Sequence, residues 1–85
     1  MSQGVTGVSR KRLSARSALA TNIVVLRHAK GWSQEALAFE CGLHRTFVAH
    51  VERQARNIAL DNIQRLADAL GVEAYELLMP PLAES

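Results

Sequence analysis

The sequence predicts an all-α domain of five short helices, and three observations carry that expectation. Leu37, Cys41, Leu43, Val48 and Val51 are apolar residues at helical intervals on either side of Gly42. The apolar content is 48% but the aromatic content only 5%, so the core must be built from Leu, Ile, Val and Ala, with few residues that favour strands. Gly31, Gly42 and Gly71 each stand at the end of an apolar run, which is the usual place of a helix stop.

Residues 1–16 are rich in Gly, Ser, Thr and basic side chains and are expected to be a flexible basic tail. Arg10, Lys11, Arg12 and Arg16 either follow phosphates or merely keep the tail solvated. The domain proper is expected at 17–79, with 80–85 a second tail. The first helix is predicted over about 17–29, turning Leu19, Ile23 and Leu26 inward, and Trp32 plugs the core between the first two helices. Ser33 is placed to cap the second helix, its hydroxyl accepting from first-turn N–H groups. Ala38 lies four residues before Gly42, as steep helix crossing near a tight turn requires, and the glycine supplies the left-handed residue.

The third helix is predicted over about 45–53. Val48 and Val51 share its inner face, while Thr46, Ala49, His50 and Arg53 cluster on the outer one, with Arg45 at the edge of the leading turn. A loop follows to Ala59, carrying Arg53, Gln54, Arg56 and Asn57. The fourth helix, about 60–70, is expected to bury Leu60, Ile63, Leu66, Ala67 and Leu70. The short fifth, about 73–78, ends before Pro80 and Pro81. Tyr75, Leu78, Met79 and Leu82 exceed what a monomer needs at its surface and are expected to form a homodimer interface, the rival being core residues plus a loose tail.

The net charge of +2 is unevenly spread. Residues 1–60 hold nine of the ten Lys and Arg against Glu35, Glu40 and Glu52; residues 61–85 hold Arg65 against five acids. A basic front and an acidic back present one face to a polyanion. Eighty-five residues make a marginal core, to which a second subunit would add buried surface. One cysteine forms no intrachain disulfide and no Cys-x-x-Cys pair, which fits a reducing cytoplasm. No apolar run approaches the ~20 residues that cross a bilayer, so no membrane partner is expected. His28, His44 and His50 stand in no convincing catalytic spacing to a carboxylate or serine, and Cys41 with His44 gives two ligands where a metal site needs more. No enzyme, cofactor, metal or small-molecule ligand is expected.

Three stretches in order carry a specific likeness: W-S-Q-E-A-L-A at 32–38, C-G-L-H-R-T-F-V-A-H-V-E-R at 41–53 and I-Q-R-L-A-D-A-L-G-V at 63–72. From Asn22 to Leu78 the chain resembles the Cro/C1-type (XRE-like) helix-turn-helix domain, similar to restriction-modification controllers and small phage-type repressors. That resemblance implies a five-helix bundle of the lambda-repressor-like type, with its third helix in the major groove of double-stranded DNA. Arg45, Thr46 and His50 would then read bases: an arginine bonds guanine O6 and N7, and a threonine meets a thymine methyl. Ser33, Gln34, Phe47, Arg53, Arg56 and Asn57 would lie along the backbone. Phe47 stands where relatives often have a phosphate-bonding tyrosine. His44 stands where a better cap is usual. Gln54 replaces the usual glycine, so the turn after the third helix is expected to be shaped differently. Arg27 and Glu52 occupy positions that in this family make a partly buried structural ion pair.

The functional expectation is a sequence-specific transcription regulator binding a pseudo-palindromic operator as a homodimer. The alternative is a protein-interaction module, such as an antitoxin, that uses the same scaffold to bind a partner protein. It would call for an apolar or acidic outer face on the third helix. That face instead carries Arg45, Thr46, His50 and Arg53.

Overall fold

A computed structural model describes residues 14–54 and 57–80. Among them are five helices and no strand: α1 (Ala15–Ala29), α2 (Gln34–Cys41), α3 (Arg45–Glu52), α4 (Leu60–Leu70) and α5 (Ala74–Leu78). Each begins where local chemistry allows. The Ser14 hydroxyl accepts from the Ser17 N–H at 3.0 Å, so α1 starts two residues before the predicted position, at a cap concealed in a stretch that otherwise reads as tail. Ser33 does the same for α2, accepting from Ala36 N–H at 3.0 Å. His44 makes no side-chain cap bond to α3. Glu73 and Glu76 close a reciprocal capping box around the start of α5, which gives a five-residue helix a defined beginning.

The five helices enclose one core. Leu19 and Ile23 from α1, Leu37, Ala38 and Cys41 from α2, Val48 and Val51 from α3, Ile63, Leu66, Ala67 and Leu70 from α4 and Leu77 from α5 are all buried. Leu26, Trp32, Leu43, Phe47 and Ile58 pack against its edge. Leu60 departs from expectation: it is exposed rather than buried. It shares the wheel face of Ile63 and Ala67, but it is the first residue of α4, at the outer end of that buried stripe, with Ala59 as the cap. α1 packs against α3, α4 and α5, and α2 packs against α3 and α4, so α3 rests on two supports.

The fifth helix is tied back by one side chain. The Asn22 amide donates to the carbonyls of Leu77 at 2.9 Å and Met79 at 2.8 Å, with a longer contact to Glu76 at 3.3 Å. These carbonyls lie at a helix end, where intrahelical donors run out.

Candidate nucleic-acid interface

The candidate surface is built on the α2–α3 corner. Gly42 caps α2 in the left-handed region at φ +72°, and its N–H bonds back to Ala38 and Phe39 while the Leu43 N–H reaches the Ala38 carbonyl at 2.9 Å. Ala38 is buried against that crossing. The reversal sets the roll of α3: Val48 and Val51 turn into the core, Arg45, Thr46 and Arg53 are exposed, and Ala49 and His50 are half-buried. Arg45 and Thr46 therefore stand at the leading, solvent side of α3.

Behind that face lies a buried polar knot. The Arg27 guanidinium grips the Glu52 carboxylate at two points, Nε to Oε2 at 2.7 Å and Nη2 to Oε1 at 3.0 Å, and its Nη1 donates to the Trp32 carbonyl at 2.9 Å. Gln34 adds a third donor to the same carboxylate, Nε2 to Oε1 at 2.8 Å. One charged pair, with side chains 10% and 7% exposed, thus joins α1, the start of α2 and the end of α3. Gln34, expected to face phosphates, commits one amide N–H inward and keeps a second. Phe47 is partly buried against the core, so its ring serves packing first.

Gln54 takes a conformation that its residue type disfavours. Gln54 adopts φ +61°, the left-handed conformation that a glycine would take, and its N–H bonds to the Val51 carbonyl at 3.0 Å. The glutamine bears the steric cost of that left-handed conformation. Asn57 is exposed and its side-chain oxygen accepts from the Arg16 guanidinium. Arg56 lies outside the described residues, as do Arg10, Lys11, Arg12 and Leu82.

Sequence reasoning missed four features here. Arg16 meets Asn57 across 41 positions, a pairing with no local signal. Asn22 closes α5 from α1. Phe39, at the outer face of α2, is 82% exposed. Val25 is exposed and lines a groove with Asn22, Leu26, Val72, Glu76, Met79 and Pro80. A wheel drawn for α1 would have left Val25 as an unexplained outer apolar residue. The Lys30 ammonium lies over the face of the Trp32 ring, 5.1 Å from its centroid, a cation–π contact. Burial pushes the Cys41 thiol above its ordinary pKa, so it behaves as a small core residue.

Among the described residues no group of three or more His, Cys, Asp or Glu is placed to hold a metal ion, and no helix is long and apolar enough to cross a membrane. Comparison with known proteins adds a direct match: residues 25–77, more than half of the chain, fit the family described as Helix-turn-helix. The chain belongs to the XRE-type helix-turn-helix family. This family comprises DNA-binding transcription regulators, and the five-helix architecture is that of its members.

Individual relatives agree. A Neisseria meningitidis protein called a hypothetical transcription factor is 59% identical over 66 residues, which span 78% of this chain and 62% of that one. The crystal structure of the Neisseria factor NHTF superposes with a TM-score of 0.77, at 50% identity, covering 88% of this chain and 90% of that one. Control protein C.BamHI of Bacillus amyloliquefaciens is 56% identical over 46 residues, 54% of this chain and 57% of its own length. By sequence, the match therefore spans about three-fifths of both curated relatives. The restriction-modification controller C.Esp1396I, solved as a tetramer with its natural 35-base-pair operator, superposes with a TM-score of 0.69 at 28% identity, covering 79% of this chain and 92% of that one.

Proposed function

We propose that this protein is a sequence-specific transcription regulator that binds a pseudo-palindromic operator as a homodimer, in the manner of a controller protein. The observation that carries the reading is the roll of α3. Its valines are locked inward by Gly42 and the Arg27–Glu52–Gln34 knot, while Arg45 and Thr46 stand exposed on its leading turn. In this reading Arg45, Thr46 and His50 discriminate bases, each good pair contributing about 1–3 kcal/mol of selectivity. Ser33, the second amide N–H of Gln34, the edge of Phe47, Arg53, Arg56 and Asn57 follow the phosphates and set register.

The second subunit joins through Tyr75, Leu78, Met79 and Leu82. The exposure of the first three supports this assignment, as does their position on α5 or directly after it, a helix otherwise fastened by Leu77 and Asn22. Two recognition helices related by a two-fold axis would meet half-sites roughly 34 Å apart on one face of the duplex. The operator complex of C.Esp1396I supports a duplex as the partner of this surface.

The test is selection of duplexes from a random pool by the purified protein, followed by titration of the winner. The expected product is an inverted repeat. Arg45→Ala should flatten preference at one symmetric position, whereas Arg53→Ala should weaken binding to every sequence and make its salt dependence shallower. Enrichment of no sequence, and no binding to any duplex at low salt, would overturn the reading and favour a protein partner.

A further inference from the structure

His44 stands at the N-cap of α3, directly before Arg45, with an extended backbone at φ −76° and ψ 144°. Its carbonyl accepts from the N–H groups of Phe47 at 2.9 Å and Val48 at 3.1 Å, so the helix starts from the backbone alone. The imidazole makes no cap bond, and among the described residues no other hydrogen bond or ion pair engages it. Ser14 and Ser33 do cap α1 and α2 with their hydroxyls, and Glu73 closes a box on α5. Ala59, before α4, has no polar side chain to offer; His44 has one and does not turn it to the helix. A Ser, Thr, Asp or Asn at 44 would satisfy one more first-turn N–H and stabilise the fold.

His44 is exposed, as are Arg45 and Thr46 after it, so three consecutive residues face solvent at the leading end of α3. It lines a groove between α2 and α3 with Glu35, Phe39, Leu43 and Arg45. That groove holds one carboxylate and one guanidinium, and Arg65 of α4 comes within 3.4 Å of where a Cβ on Gly42 would lie. Charges of both signs stand near position 44, so net charge does not single it out. An uncommitted hydrogen-bond donor does: a neutral imidazole carries one N–H and one acceptor nitrogen, and here neither is used within the described protein.

Resting on the duplex-binding reading above, we infer that His44 donates its imidazole N–H to a phosphate oxygen of the duplex, at the rim of the groove that α3 enters. First-turn residues of such a helix point to base edges. The residue before them lies outside the helix, where the chain arrives from Gly42 and Leu43, and so meets the rim rather than the floor of the groove. Phosphates line that rim, and a contact to them sets register without reading sequence. The missing cap follows from the same assignment, because one side chain at 44 cannot turn back to its own helix and reach outward at once.

The experiment uses the full chain and the duplex obtained by selection. Affinity, thermal midpoint and interference by ethylated phosphates are measured for the unaltered protein, His44→Ala, His44→Gln and His44→Asn. His44→Ala should weaken binding to every duplex by roughly 2–10-fold per subunit, with base preference and thermal midpoint kept. It should also abolish the interference from one phosphate in each half-site. His44→Gln, which carries an amide N–H at similar reach, should recover most of the affinity. His44→Asn, which turns back to cap the helix, should raise the thermal midpoint by about 4–8 °C and yet bind as weakly as His44→Ala. Stability and affinity then move in opposite directions, which a purely structural residue does not produce. Unchanged affinity and interference in His44→Ala, with Arg45→Ala still relaxing base preference, would refute this inference and leave the duplex-binding reading standing. An altered base preference in His44→Ala would refute it too, making His44 a base reader, as would a lowered thermal midpoint that accounts for the weaker binding. If the unaltered protein binds no duplex, both readings fall together.

Discussion

At the scale of single residues, the Glu52 carboxylate is the point on which the corner depends. It accepts three hydrogen bonds from two side chains on two other elements, and both members of the ion pair are almost wholly removed from water. Truncating one member leaves the other charged and unpaired, a loss of about 3–5 kcal/mol. Glu52→Ala should therefore lower the urea midpoint of unfolding steeply, and Gln34→Ala far less, since it removes a neutral donor from an otherwise satisfied carboxylate. A Glu52→Ala protein as stable as the parent would show that the pair contributes nothing net. Cys41 gives a separate check. Buried, with its pKa raised by that burial, it should resist iodoacetamide at neutral pH until the chain is unfolded. Prompt alkylation of the native protein would contradict the burial.

At the scale of elements, the left-handed residues Gly42 and Gln54 predict opposite signs. Gly42 holds φ +72°, with the Arg65 guanidinium 3.4 Å from where a Cβ would stand, so Gly42→Ala should cost about 1–2 kcal/mol, mostly as backbone strain. Gln54 holds φ +61° without being glycine, so Gln54→Gly should raise stability by about 0.5 kcal/mol after the added freedom of the unfolded chain is counted. In a domain of this size each kcal/mol moves the melting temperature by about 4–8 °C, so calorimetry separates the two. Most of this level was legible in the sequence. The helix periods, the Ser33 cap and the glycine stop at 42 are local, and local signals survive folding. The misreadings came where context decides: Ser14 caps a helix inside an apparent tail, Leu60 stands exposed at the very start of α4 although it shares the buried face, and Gln54 takes a left-handed backbone that its residue type disfavours. The division of α3 into a buried and an outer face could be read because one helix wheel contains it. The Arg16–Asn57 and Asn22–α5 contacts could not, because they join positions more than forty residues apart.

At the scale of the whole molecule, a chain of 85 residues buries a modest core and leaves Val25, Tyr75, Leu78 and Met79 exposed, Val25 and Met79 lining one groove. Covering that face in a dimer would couple subunit association to stability, so the melting temperature should rise with protein concentration. Tyr75→Asp or Leu78→Asp should give a monomer in sedimentation equilibrium and abolish that dependence. Dimers persisting in both variants would place the contact on another face. Asn22 extends the consequence further. Its amide, rooted in the first helix, fastens the platform on which a twin molecule would sit. Removing that one fastening should let the platform wobble and loosen the pair, although Asn22 itself need never touch the twin.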